Sequence, residues 1–291
     1  MIEALLLTAS VGLSTGRGIF SKGIMSPQQS IGKSFFLYQG ILFLFALIAV
    51  FLFNVANLGN ISLTTVIYGL IYGVLLIGSQ WLYTLALAKG TAATCSMVYA
   101  FGFILPTLCG FIFWNEEPTP LKIIGVLLVI PLVVLVSLAK GRQKAKSNWF
   151  LIPLLVAAIC SGGLGIMQKI QQKSEFADQR TAFLLIGLAF ACGLSFIAFL
   201  LFKKNKDIAE DKMEIRPFLL CLLSGVCFGL ANMVNVILAS LVPAVILFPI
   251  QNIGVIVLTT ILGFFIFKER PKMNEIIAFV LGITSIIFLV I

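Results

Sequence analysis

Histidine is absent from these 291 residues, and charged residues make up only 11% of them. The first absence removes the usual proton shuttle at neutral pH and the commonest metal ligand. The second, set against about 25% in an ordinary soluble domain, excludes a surface built mainly to face water. Cysteine is sparse and badly placed for chemistry. Cys95, Cys109, Cys160, Cys192, Cys221 and Cys227 all lie inside apolar runs without pairing spacing, so they read as small buried hydrophobes rather than disulfides or metal ligands. With no Asp cluster and no His-bearing motif, neither an intramembrane enzyme nor a cofactor is expected.

Apolar sequence fills the chain instead. Hydrophobic residues make up 60%, against about 45–50% in soluble proteins. Runs of roughly 20 apolar residues, each enough to cross ~30 Å of hydrocarbon, follow one another throughout. They do not alternate, so helices rather than a barrel are expected. The spans fall at about 2–22, 34–53, 63–88, 91–114, 119–139, 148–170, 181–203, 216–240, 243–267 and 272–290. The first is read as a retained span, since no basic segment precedes it and no small-x-small site ends it. The net charge of +9 sits in short loops, which fits lipid headgroups better than nucleic acid. Membrane lipids and a small-molecule solute are the expected partners, with the chain a monomer or a homodimer in the cell membrane.

One segment is written twice. Gly110-Phe111-Ile112-Phe113-Trp114-Asn115-Glu116-Glu117-Pro118 recurs as Gly263-Phe264-Phe265-Ile266-Phe267-Lys268-Glu269-Arg270-Pro271. Gly18, Ser21 and Lys22 match Gly165, Gln168 and Lys169, and Phe36, Leu37 and Gly40 match Phe183, Leu184 and Gly187, all at a shift of 147. The common order of these matches points to a duplication: residues 1–140, a basic linker at 141–147, and residues 148–291. Five spans per half is odd, so the second copy enters the membrane upside down. The fold class expected is therefore all-α integral membrane, ten transmembrane helices as two inverted five-helix repeats. Basic residues favour loops after odd spans over those after even spans by 15 to 4, Arg17 apart. Taken alone, that places both termini outside.

A Gly-rich first span ending in Lys22 resembles a known family. So do a third span ending Ala86-Leu87-Ala88-Lys89-Gly90 and a fourth span ending in an acidic residue. Together with ten spans in two halves, they resemble the drug/metabolite transporter superfamily, in its EamA-type branch. The resemblance implies secondary transport by alternating access, without naming the cargo. It also implies cytoplasmic termini, opposite to the charge tally. The glutamate in the middle of span one of the small four-span exporters has no equivalent here, Glu3 lying near the start.

Polar residues inside hydrocarbon should face the bundle interior or a wet cavity. Ser10, Ser14, Arg17 and Ser21 share one face of span one. Two readings of Arg17 stand: a planar cation presented to a carboxylate or phosphate, or a side chain snorkelling to the surface. The repeat pairs Gln80 with Asn232, Tyr83 with Asn235, and Tyr99 with Asn252 beside Gln251. These residues either line a solute site or hold helices together. Trp81, Tyr38 and Gln39 rank second. Pro106, Pro243 and Pro249 free backbone carbonyls inside spans, as hinges or as fitted bends. Glu116 and Glu269 read as caps or inter-loop pairs rather than coupling groups, and Lys22 and Lys169 as interfacial anchors.

The expected function is that of a secondary transporter for a small solute, amino-acid-like or anionic. The alternative on the same fold is a lipid or lipid-linked-sugar flippase. No carboxylate occupies the middle of a span, so a proton relay has no evident carrier; facilitation, exchange, or coupling through Glu3 or Glu116 stay open.

Overall fold

The computed structural model describes residues 2–22, 33–53, 61–89, 95, 98–117, 119–139, 151–201, 215–267 and 273–290. Among them are ten α-helices: α1 (Ile2–Lys22), α2 (Lys33–Phe53), α3 (Leu63–Lys89), α4 (Ile104–Phe113) and α5 (Pro120–Ala139), then α6 (Leu151–Lys173), α7 (Arg180–Leu201), α8 (Ile215–Leu241), α9 (Ala244–Phe267) and α10 (Met273–Val290). They occupy the ten expected segments, and no strand occurs among the described residues. Phe35–Phe53, Leu63–Ala86, Leu151–Lys173, Ala177–Leu201 and Ile215–Leu241 are long and apolar enough to cross a membrane. Shorter apolar helices are Val98–Phe113, Pro120–Leu135, Ala244–Leu258 and Val280–Leu289. The expected linker at 141–147, the side chain of Lys22, and Glu269 with Pro271 lie outside the described residues.

The burial pattern is that of a protein dissolved in lipid. Leu52, Leu63, Ile112 and Leu200 are exposed, whereas Thr65, Gln168, Lys169, Gln171 and Asn232 are buried. Exposed alkyl groups suit acyl chains, and polar groups must then satisfy one another inside.

The chief helix pairings all join a member of the first five to a member of the last five: α5 with α10, α3 with α6, α2 with α7, α1 with α8, α2 with α8, and α3 with α7. Small residues allow the closest approaches. A Cβ on Gly73 would lie 2.8 Å from the carbonyl oxygen of Gly187, where α3 crosses α7. One on Gly225 would lie 2.5 Å from that of Leu42, where α8 crosses α2. Ser285 donates to the Gly125 carbonyl (2.6 Å), tying α10 to α5.

Proline behaves differently at the three positions singled out above. Pro106 follows a 3-10 turn at Phe101–Phe103, which interrupts span four between helical residues 98–100 and α4. The missing N–H of Pro106 removes a bond from the first α-turn, which a tighter turn tolerates. Pro249 lies inside α9. Pro243, expected within span nine, precedes it: its carbonyl accepts from Ile246 (3.1 Å) and Leu247 (2.9 Å). There the absent N–H costs nothing, and Pro243 starts the helix rather than bending it.

Candidate functional site

A cavity of about 400 Å³ opens between α1, α3 and α4 on one side and α6, α8 and α9 on the other. Ser14 and Arg17 reach it from α1, Gln80 from α3, Tyr99 from the stretch before α4, Asn232 and Asn235 from α8, and Gln251 and Asn252 from α9. Tyr83 does not line it. Its ring packs on that of Tyr99, centroids 4.7 Å apart, in a small cluster with Ala86, Cys95 and Leu154. Tyr83 thus backs the wall that Tyr99 forms. Trp81, Tyr38 and Gln39 also stand outside: Trp81 meets Phe36 edge-on at 4.7 Å, and Tyr38 is buried against Ile41 and Cys221.

Arg17 turns into the bundle rather than toward the surface. Its guanidinium lies 4.0 Å from the centroid of the Phe228 ring, a cation–π contact that partly replaces water. Among the described residues no carboxylate comes within ion-pairing distance of it, and no Asp or Glu lines the cavity. Arg17 therefore gives this space a net positive charge.

Two hydrogen-bond clusters hold the remaining walls. Tyr72, fully buried, donates to Asn232 Oδ1 (2.5 Å). Gln168 Nε2 donates to Tyr72 Oη (3.0 Å) and to Asn232 Oδ1 (3.2 Å), while Asn232 Nδ2 donates to the Phe228 carbonyl (2.8 Å). One turn further along α8, Asn235 Oδ1 accepts from Ser10 Oγ and from Gln251 Nε2 (2.5 Å). The polar face expected on span one is thereby divided between roles. Ser10 orients Asn235, Ser14 and Arg17 face the cavity, and Ser21 shares a hydrogen bond with Ser224 (2.8 Å).

A clasp lies just beyond the cavity. Glu116 accepts from the first backbone N–H groups of α9, Ala244 to Oε1 (2.8 Å) and Val245 to Oε2 (2.9 Å). A carboxylate suits this helix N-terminus, where unpaired N–H groups and the helix dipole coincide. Lys169 Nζ stands 3.5 Å from Glu116 Oε1 and donates to the Val242 carbonyl (2.7 Å). Glu116 is thus both a cap and an inter-helix pair. Lys169, expected to be an interfacial anchor, is instead buried, because this pair and a carbonyl satisfy its charge inside the protein. Neighbouring Gln168 and Phe248, one helical turn into α9, line the cavity. The clasp therefore joins α6, the α4–α5 turn and the α8–α9 junction at one end of it.

Sequence reasoning missed Tyr72, Gln168 as a wall residue, and the apolar lining of Phe103, Phe228 and Phe248. Tyr72 had a readable signal, since it precedes Leu76 and Gln80 by four and eight residues and so shares their helix face.

A search of curated proteins returns no match. Among solved structures, one crystal structure superposes with a TM-score of 0.79 at 16% identity, over 98% of this chain and 95% of that one. At that identity the likeness concerns the fold alone. Residues 148–291 match the model of the EamA-like transporter family. With apolar helices throughout and its second half matching that model, the chain is an integral membrane protein that belongs to the EamA-like transporter family.

Proposed function

We propose that this protein is a secondary transporter that moves a small metabolite across the cell membrane by alternating access, with the central cavity as its binding site. The observation that carries the proposal is the composition of the cavity wall. Three elements of residues 1–140 and three of residues 148–291 contribute to it, and their polar residues converge where a membrane protein has most reason to exclude them.

Ten membrane crossings in two inverted halves, 1–140 and 148–291 joined by 141–147, account best for the packing. Exchanging α1–α5 for α6–α10 turns the α3–α6 pairing into α8–α1 and the α2–α8 pairing into α7–α3, and all four pairings are present. Side chains follow the same exchange. Ser21 and Gln168 are related by a shift of 147, and Tyr72 and Ser224 by 152. Ser21 bonds Ser224, and Gln168 bonds Tyr72. A family match confined to residues 148–291 fits a unit of that length. Two such halves can rock about a shared central site, and the Glu116–Lys169 clasp is then a contact that must open in the cycle.

Reconstituted flux tests the proposal. Combining Arg17→Ala, Gln80→Ala and Asn232→Ala should abolish solute movement in proteoliposomes; flux unchanged by the three would remove the site. Scrambling of a labelled polyprenyl phosphate, with no flux of water-soluble solutes, would favour a flippase instead.

A further inference from the structure

We infer that the cargo is an organic monoanion, a carboxylate joined to an apolar or aromatic body, and neither a zwitterion nor a cation. The inference rests on the transporter reading and narrows the substrate class of the same cavity.

Charge gives the first reason. Arg17 is the one charged residue among the described lining residues, and its only close partner among them is the Phe228 ring. A guanidinium surrounded by lipid and protein is costly without a counter-charge. The cavity is therefore neutralised by one bound negative charge, and by one only. A phosphate monoester brings about −1.5 to −2 at neutral pH, which exceeds what a single arginine balances. A carboxylate matches it in both charge and geometry, because the guanidinium fork accommodates two oxygens. Ser14, one turn before Arg17 on α1, and Gln80 on α3 both face the cavity and add neutral donors.

Acceptor capacity gives the second reason. A zwitterion or an amine would need acceptors, and preferably a carboxylate, for its ammonium. The oxygens of Asn232 and Asn235 are already occupied: the first accepts from Tyr72 and Gln168, the second from Ser10 and Gln251. A carbonyl oxygen has two lone pairs, so both are saturated by the protein. The oxygens of the other lining amides, Gln80, Gln168, Gln251 and Asn252, can accept from an ammonium but bring no negative charge to balance it. Phe103, Phe248, Val255 and Ile256 form an apolar wall suited to a hydrocarbon or aromatic body.

A matched set of probes separates the possibilities: 3-phenylpropionate (anion), phenylalanine (zwitterion), phenethylamine (cation), 3-phenylpropanol (neutral) and benzyl phosphate (near-dianion). Binding is read as the ligand-induced rise in melting temperature of the purified full chain, and transport as flux into proteoliposomes. The expected result is selective binding of 3-phenylpropionate, weakened about 10- to 100-fold by Arg17→Gln and partly retained by Arg17→Lys. In Gln80→Glu, which supplies the missing negative charge, preference should move toward phenylalanine and phenethylamine; that variant carries the test if Arg17→Gln does not fold. Binding of phenylalanine or phenethylamine to the native protein as tight as that of 3-phenylpropionate overturns the inference. So does binding of none of the five, or anion affinity unchanged in Arg17→Gln. Selective anion binding without flux would leave the charge assignment standing and remove the transport reading. Flux of the amine in place of the anion would do the reverse.

Discussion

Removing the Glu116 carboxylate should destabilise the protein more than a single surface ion pair could explain. Glu116→Ala deletes three contacts at once: those from the Ala244 and Val245 N–H groups at the start of α9 and that with Lys169 Nζ. The side chains of Lys169 and Glu116 are only 4% and 11% exposed, so water does not replace what is lost. Losing one partner of a buried pair costs about 3–5 kcal/mol, because the other charge is left uncompensated. Losing a helix cap costs about 0.5–2 kcal/mol. The two overlap through one carboxylate, so a total of about 4 kcal/mol is the working figure. At roughly 2–4 °C per kcal/mol for a chain of this order, the melting temperature in detergent should fall by about 8–16 °C. Lys169→Met should cost less, since Glu116 keeps its two backbone donors. In the double variant the effects should fall short of their sum by about 2 kcal/mol, the signature of a shared interaction. A melting temperature for Glu116→Ala within about 2 °C of wild type, or strict additivity with Lys169→Met, would refute the clasp as an energetic unit.

Other outcomes follow from the same geometry. Gly110→Ala places a Cβ 2.6 Å from Glu116 Oε2 and 2.9 Å from Val245 Cγ2, so it should reproduce much of the Glu116→Ala loss without touching a charge; a wild-type melting curve would contradict this. Gly225→Ala drives a Cβ to 2.5 Å from the Leu42 carbonyl and 2.8 Å from Phe45 Cβ, forcing α8 away from α2, and should lower stability by about 1–3 kcal/mol in thermal unfolding. Tyr72→Phe removes the hydroxyl shared by Gln168 and Asn232. It should cost about 1–3 kcal/mol through the buried amide groups left unpaired and weaken cargo binding, measured by thermal shift and titration.

Much of the arrangement was legible in the sequence for definite physical reasons. Lipid forces backbone bonds inward and leaves long apolar runs, so helix positions could be read directly. Helical periodicity puts Ser14 and Arg17 on one face, though it left Arg17 between the interior and the surface, and matching the two similar segments singles out Tyr99 and Asn252; all four line the cavity. Tyr83 does not: the same matching pairs it with Asn235, but its ring finds Tyr99 and is held behind the wall. Phe103 and Phe248 carried no signal in a chain with 26 phenylalanines, since packing alone decides which of them meet the cavity. Lys169 lies near the end of an apolar run, where snorkelling is the default expectation. Only the fold shows that Glu116, remote in sequence, comes to meet it.

The central claim, that one cavity between the two halves is reached alternately from each side, is most directly tested by thiol accessibility. Ser14→Cys, in a background with the six native cysteines replaced, would be challenged with a membrane-impermeant maleimide from each side of oriented vesicles. Labelling from both sides, slowed at both by a bound cargo, is the predicted result. Labelling from one side only, under every condition, would contradict it.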